Sequence, residues 1–172
     1  MIIRRAKKKD IKDLSILFDK YRIFYKQSSD VKNAQSFLKK RMKRKESVIF
    51  VAEERDELIG FTQLFPIFSS VSMKRTWLLN DLYINERSRG IGAATKLLDA
   101  VKEFGAETNS KWLLLQTAAN NFTAQKVYEK NGWVKETDIL CRKDIYNHPL
   151  FLKNQSIQIG IANMTITAPK NP

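Results

Sequence analysis

The segment from Arg75 to Thr117 constrains the fold most, because it predicts a strand, a helix and a second strand in succession. Arg75–Ile84 is the first predicted strand, and apolar residues recur at helical spacing from Gly92 to Phe104. The apolar run Trp112–Leu115 is typical of a buried strand. A strand–helix–strand connection places its two strands in parallel. The sequence therefore predicts one parallel strand pair.

The residues before this unit predict a short strand and two helices. Met1–Ala6 is the opening strand, and Asp10 stands at the N-cap position of the first helix. Apolar residues of this helix recur at spacings of three and four up to Tyr25, and Asp19 falls on the face predicted to be exposed. After a break at Ser28-Ser29-Asp30, a second helix is predicted from Val31 to Lys45.

The remaining chain predicts further strands and one more helix. Ser47–Ala52 and Leu58–Phe65 form a predicted antiparallel hairpin, and Pro66–Met73 a loop. The helix that starts near Gly92 has stop signals at Gly105 and Asn109. The last elements are a helix over Asn121–Lys130, ended by Asn131-Gly132, and a strand from Trp133 to about Cys141.

Composition excludes several kinds of site. A chain of 172 residues fits one domain. The single cysteine, Cys141, excludes an internal disulfide, and with one histidine, His148, we expect no metal site and no Ser-His-Asp triad. No window approaches the about 18 apolar residues of a membrane span, and no apolar segment follows the basic N-terminus. These features predict a cytoplasmic protein that does not enter a membrane.

Charge is concentrated at the N-terminus. Residues 1–45 contain 16 Lys and Arg against 4 Asp and Glu, whereas residues 46–172 contain 15 against 14. Such asymmetry is compatible with a nucleic-acid-binding or ribosome-associated protein, or with a solvated helix face. No RNA-binding motif accompanies it, so we expect nucleic acid not to be the partner.

The turn Arg89-Gly90-Ile91-Gly92 lies between a predicted strand and a predicted helix. Two glycines allow a tight turn whose N–H groups face a ligand, and a helix start adds free N–H donors with a positive dipole end. This combination suits a phosphate or pyrophosphate, although glycines here are also compatible with a turn alone. The chain contains no P-loop string, and Gly90 and Gly92 lack the third glycine of a dinucleotide fingerprint.

Three ordered motifs resemble the GNAT superfamily of acetyl-CoA-dependent N-acetyltransferases. Arg89-x-x-Gly92-x-Ala94 fits the family's pyrophosphate motif R/Q-x-x-G-x-G/A, and Leu79-Asn80-Asp81-Leu82-Tyr83-Ile84 looks like its bulged fourth strand. Asn121-x-x-Ala124-x-x-x-Tyr128-x-x-x-Gly132-Trp133 looks like its later motif. The resemblance covers about residues 1–138 and looks nearest to the branch with histone and polyamine acetyltransferase-like members.

The resemblance implies a mixed α/β fold of three layers. Its central sheet would be mostly antiparallel with one splayed parallel pair, and about four helices would cover it. The GNAT domain would span residues 1–145, with an atypical extension over residues 146–172 in which alternating isoleucines at 157, 159 and 161 are compatible with a further strand. Dimers are common in the family, so a homodimer is compatible with the resemblance.

The resemblance also implies a donor site for acetyl-CoA, with no metal. Backbone amides of the glycine turn would hold the pyrophosphate, and backbone groups of the fourth strand would pair with the pantetheine arm. Asn121 would bind the same arm, and Tyr128 would protonate the departing thiolate. The cofactor-binding residues implied are Leu82, Tyr83, Ile84, Arg89, Gly90, Ile91, Gly92, Ala93, Ala94, Thr95, Asn121, Ala124 and Tyr128.

The acceptor implied is the primary amine of a small molecule, such as an amino acid, a polyamine-like compound or a peptide. Polyamine-acetylating relatives carry a Glu-Asp pair where this chain has Asn80-Asp81, so Asp81 is the candidate base, acting directly or through water. The acceptor pocket implied contains Tyr21, Phe24, Tyr25, Phe65, Asn80 and Asp81. A module that binds CoA without catalysis is the alternative that Asn80 leaves open.

Overall fold

The computed structural model describes residues 1–136. Cys141, His148 and the isoleucine alternation after residue 156 lie outside the described residues. Within them, the strands and α-helices are β1 (Ile2–Arg5), α1 (Ile11–Phe24), α2 (Val31–Lys43), β2 (Val48–Glu54), β3 (Glu57–Ser69), β4 (Lys74–Ile84), α3 (Ala93–Glu107), β5 (Leu113–Leu115) and α4 (Phe122–Lys130). The chain forms two compact units, and the boundary lies between Gln116 and Thr117.

The first unit contains a five-stranded sheet in the order β1-β2-β3-β4-β5. Neighbouring strands are antiparallel except for β4 and β5, which are parallel. This confirms the predicted mixed sheet and its single parallel pair. The parallel pairing is short, because β5 pairs only with Trp77–Leu79 of β4.

Helices cover both faces of this sheet. Leu14 of α1 and Leu38 of α2 are fully buried in one cluster with Val51 and Phe61 of the sheet. On the opposite face, Phe104 of α3 packs against the rings of Phe50 and Trp77, with centroids 5.7 and 5.0 Å away. Burial of these apolar side chains fixes the three layers of the first unit.

Strand β3 continues to Ser69, so the predicted loop at Pro66–Met73 is wrong for its first four residues. Pairing with β2 ends where Val48 meets Leu64, whereas pairing with β4 continues to Ser69. Beyond Leu64 the strand is therefore an edge on one side, where sheets tolerate proline. The hairpin before it turns at Arg55 and Asp56, both of which have positive φ, as a two-residue hairpin turn requires.

Four local predictions also need correction. Asp10 makes no capping bond to α1, because it accepts a bidentate pair of bonds from Arg4 at 2.7 and 2.9 Å. Helix α2 ends at Lys43 instead of Lys45. Gly105 lies inside α3, where its missing side chain makes room for Leu113 of β5. Residues 133–136, the described part of the strand predicted from Trp133 to about Cys141, form no strand, and the rest of that prediction lies outside the described residues. In the part described, no helix is both long and apolar enough to span a membrane.

Candidate active site

A β-bulge in β4 determines which way its side chains point. Gln63 of β3 pairs with Asp81 and Leu64 pairs with Leu79, which leaves Asn80 as the extra residue. The extra residue reverses the alternation of side chains along the strand. Trp77 therefore faces α3, whereas Asp81 and Tyr83 face α1 and α2.

The bulge buries the Asp81 carboxylate, which is 4% exposed. The Asn80 side-chain amide donates to Asp81 Oδ1 at 3.0 Å, and the Tyr21 hydroxyl donates to the neighbouring Asn80 main-chain oxygen at 3.4 Å. Burial outweighs the favourable effect of Asn80 and Tyr21 on the ionised form and raises the pKa of Asp81 to about 6. Among the described residues, no Lys or Arg forms an ion pair with Asp81. A carboxylate in this setting is suited to bind a cation or to accept a proton near neutral pH.

Aromatic rings of α1 and β3 pack around Tyr21, beside Asp81. The ring centroid of Tyr21 lies 5.0 Å from that of Tyr25 and 6.0 Å from that of Phe61. Phe24 contacts Tyr25 edge-on at 5.2 Å. Because Tyr21 and Tyr25 are four residues apart, they lie on the same face at the end of α1. They place an aromatic wall beside the carboxylate.

The structure thus brings together five of the six residues predicted for the acceptor pocket: Tyr21, Phe24, Tyr25, Asn80 and Asp81. Phe65 is half-buried two positions along β3 from Gln63, and no ring contact of the described residues joins it to the aromatic wall. Phe68–Ser70 line a different depression of about 450 Å³, at the β3–β4 hairpin tip beside Arg75 and Thr108.

The prediction of an exposed Asp19 is wrong, because this side chain is 3% exposed. Its carboxylate accepts bonds from the Asp30 main-chain N–H at 2.7 Å and from Ser29 Oγ at 2.6 Å, and it pairs with Arg22 at 3.2 Å. Burial opposes ionisation, but these partners together lower the pKa of Asp19. Asp19 thereby ties the α1–α2 loop to α1, directly after Tyr25. The helical spacing placed it outside the apolar stripe, and only the fold of the loop buries it.

The glycine turn precedes α3, as predicted. Gly90 and Gly92 both have φ of +82°, and a Cβ at either position would meet nothing within 4 Å. Gly92 is the N-cap of α3 without a side-chain cap, and the first turn of the helix holds no acidic residue. Arg89 Nε donates to the Ile84 carbonyl at 3.3 Å, which ties the turn to the end of β4. Open space above uncapped N–H groups fits a pyrophosphate.

Within the described residues, the edge of β4 next to this turn has no strand partner beyond Leu79. Because β5 stops opposite Leu79, the described residues give Asn80–Ile84 no strand partner on that side. Leu82, Tyr83 and Ile84 are the residues predicted to pair with the pantetheine arm, and they lie in this open stretch. An extended ligand can add to such an edge by main-chain hydrogen bonds.

The second unit contains Asn121, Ala124 and Tyr128 on α4. Asn121 is the N-cap of this helix and accepts a bond from the Ala124 N–H at 3.3 Å, while its amide donates to Thr117 Oγ1 at 3.4 Å. The Tyr128 ring lies 6.2 Å from that of Trp133, which follows the turn at Gly132. The predicted helix is confirmed, and the side chain of Asn121 has a capping role that the sequence did not indicate.

Comparisons with known proteins agree with this geometry. The sequence matches the model of the acetyltransferase (GNAT) family over residues 14–133. It is 48% identical over 137 residues to the uncharacterized N-acetyltransferase YhfO of Bacillus subtilis (strain 168), which covers 80% of this chain and 92% of that protein. The crystal structure of a probable acetyltransferase aligns with a TM-score of 0.80 at 39% identity, covering 86% of this chain and 99% of the other.

A second solved structure has the same fold at lower identity. It is that of a predicted acetyltransferase from Clostridium acetobutylicum with acetyl-CoA, and it aligns with a TM-score of 0.68 at 21% identity. The alignment covers 83% of this chain and 95% of the other.

Proposed function

The chain belongs to the GNAT acetyltransferase family, and we propose that it transfers the acetyl group of acetyl-CoA to the primary amine of a small molecule. The observation that carries the choice of acceptor is the buried Asp81, which lacks a cationic partner among the described residues and lies beside Tyr21. A substrate ammonium group would supply the missing cation, and aromatic faces favour cations as well. An amino acid, a polyamine-like compound or a peptide offers such a group.

Asp81 is the proposed base. Attack on a thioester needs a neutral amine with a free electron pair, so the ammonium must first lose a proton. A carboxyl group with a pKa of about 6 is mostly ionised at pH 7 and still basic enough to accept that proton, directly or through water. Asn80 stands where related enzymes have glutamate, and its amide donates to Asp81 without competing for the proton.

The donor site proposed is the glycine turn with the open edge of β4. Amides at the start of α3 would bind the pyrophosphate, and the edge from Leu82 to Ile84 would hold the pantetheine arm. Acetyl-CoA supplies the activated acetyl group. A main-chain N–H of β4 would donate to the carbonyl oxygen as it gains charge.

Tyr128 is the proposed acid, and its support is the motif spacing from Asn121 to Trp133. A tyrosine hydroxyl is protonated at neutral pH and can give its proton to the departing sulfur. Asn121 and Ala124 would line the pantetheine arm. The proposed domain remains residues 1–145, with the chain after it as an extension.

Two measurements test this function. Calorimetry with acetyl-CoA tests the donor site, and we expect binding that free adenosine does not reproduce. A screen of amines, amino acids and peptides, read by thiol release from acetyl-CoA, tests the acceptor. Binding without turnover on any amine would favour the silent CoA-binding module instead.

A further inference from the structure

Strand β3 places a second buried polar side chain beside Asp81. Gln63 is the residue directly opposite Asp81 in the register of β3 and β4. Phe61, two positions earlier on β3, packs in the cluster under α1 and α2, so Gln63 points to the same face of the sheet as Asp81 does. Side chains opposed in this way have Cβ atoms about 5 Å apart. Gln63 is 0% exposed, which makes it as enclosed as the carboxylate.

One end of the Gln63 amide is hydrogen-bonded and the other is not. Its Nε2 donates to Ser47 Oγ at 2.7 Å, just before β2 begins. Its Oε1 is buried and has no hydrogen-bond partner among the described residues. Because β2 and β4 flank β3 on opposite sides, an amide nitrogen turned toward β2 leaves the oxygen on the side of β4, where Asp81 lies. A buried acceptor without a donor is unfavourable, so this oxygen indicates a donor that binds there.

Gln63 Oε1 and the Asp81 carboxylate are thus two enclosed acceptors side by side. Within residues 1–136, no Lys or Arg forms an ion pair with Asp81. A group that satisfies both acceptors needs at least two donors, and a positive charge is favourable next to the carboxylate. A primary ammonium group carries three N–H donors and a positive charge on one nitrogen, so it meets both requirements.

We propose that Gln63 is a second binding residue for the acceptor, whose ammonium group donates one hydrogen bond to Gln63 Oε1 and another to Asp81. This inference rests on the proposed function and deepens it, since it makes the site selective for amines with several N–H donors. After Asp81 takes its proton, the neutral amine still has an N–H for Gln63 Oε1. The nitrogen therefore stays in place after the transfer.

The number of N–H donors on the ligand separates this arrangement from binding by Asp81 alone. An N,N-dimethyl ammonium group has the same charge as a primary ammonium group but a single N–H. It can donate to Asp81 or to Gln63, but not to both. The wild-type protein should therefore bind the primary amine about tenfold more tightly than its N,N-dimethyl analogue.

A titration without any amine tests whether Gln63 Oε1 faces Asp81. The oxygen disfavours an ionised carboxylate and can accept the O–H of the neutral form, so Gln63→Met should lower the pKa of Asp81 from about 6. Asn80 on β4 and Tyr21 and Tyr25 on α1, which also interact with this carboxylate, are unchanged in the variant. NMR of the full-length protein with ¹³C-labelled aspartate follows the titration, with Asp81 assigned from Asp81→Asn. An unchanged or higher pKa in Gln63→Met would overturn the inference, because the amide oxygen would then not face Asp81.

Binding of two amines tests the role toward the acceptor. Dissociation constants of 2-phenylethylamine and N,N-dimethyl-2-phenylethylamine are measured by NMR titration of the same full-length protein at pH 7.5. Gln63→Met should weaken binding of the primary amine about tenfold and leave that of the dimethyl amine within about twofold. A change that merely loosened the fold would weaken both. Gln35→Met, on the half-buried glutamine of α2, is the matched control and should behave as wild type. Equal binding of the two amines by the wild type, or the same preference in Gln63→Met, would overturn the inference.

Failure of the proposed function would give a different result. If no amine drives thiol release from acetyl-CoA, the acetyl transfer is wrong. The titration and the two dissociation constants would still decide whether Gln63 and Asp81 together bind an ammonium group, because neither measurement depends on turnover.

Discussion

At the scale of a single residue, the buried Asp81 carboxylate lowers the stability of the fold at the pH values where it can act as the base. Its pKa is 3.8 in the unfolded chain and about 6 in the folded protein, so the folded state holds a proton more tightly. Stability therefore falls as pH rises from about 4 to about 6, and above pH 6 the ionised carboxylate costs about 3 kcal/mol. A bound ammonium would offset part of this cost.

The first prediction concerns Asp81→Asn. Removing the buried charge should raise the free energy of unfolding by up to about 3 kcal/mol at pH 8 and have little effect at pH 4. The same change should lower kcat at least about 100-fold, because the base is lost. Urea unfolding at both pH values and thiol release measure the two effects, with the exposed Asp13→Asn as control. Equal effects on stability at pH 4 and pH 8 would contradict the assignment.

The second prediction is a pH profile. If Asp81 must be ionised to accept a proton, log kcat/KM should fall with unit slope below about pH 6. The Tyr21 hydroxyl favours the ionised form of Asp81, so the acidic limb of the profile should move to higher pH in Tyr21→Phe. Initial rates from pH 5 to pH 9 test this, and a profile without an acidic limb near pH 6 would show that another group is the base.

The third prediction concerns Tyr128→Phe. Loss of the hydroxyl should reduce kcat by about 100-fold, while the dissociation constant of acetyl-CoA stays within about twofold, because the ring remains. Steady-state kinetics and calorimetry separate the two quantities. If turnover is unchanged, Tyr128 is not the acid.

At the scale of elements, the glycine turn offers a matched pair of substitutions. Gly92 and Gly132 have φ of +82° and +79°, and a Cβ at either would meet nothing within 4 Å. Alanine at each should therefore cost a similar amount of stability, about 1 kcal/mol, through backbone strain. Only Gly92→Ala should weaken acetyl-CoA binding, by about tenfold or more, because only its Cβ enters the proposed pyrophosphate cradle. If both variants bind acetyl-CoA equally well, the glycine turn is not the donor site.

The elements that could be predicted from sequence are those in which apolar residues recur at a regular spacing over a long stretch. The periodicity of α1 and α3 predicted helices, and Arg75–Thr117 predicted the parallel pair. The loop predicted over Pro66–Met73 was wrong at its start, because β3 stays paired with β4 as far as Ser69 after its pairing with β2 has ended. The burial of Asp19 could not be predicted from spacing, since its partners Ser29 and Asp30 reach it only after the chain turns into α2.

At the scale of the whole molecule, the structure shows where the basic N-terminal segment lies. Residues 1–45 include α1 and α2, the two helices that cover the face of the sheet to which Asp81 points. Long-range attraction from these charges would favour anionic acetyl-CoA and disfavour a polycationic acceptor. Asp81 remains the local exception, because it is an acidic group enclosed on a basic side of the protein.

The central claim is that this chain uses Asp81 to acetylate a primary amine with acetyl-CoA. Thiol release, measured over a panel of primary amines at pH 7.5 with the wild-type protein, Asp81→Asn and Asp13→Asn, tests it most directly. We expect amine-dependent release by the wild type and Asp13→Asn, and at least about 100-fold less by Asp81→Asn. Release that does not depend on an amine, or that is equal in Asp81→Asn, would contradict this role of Asp81.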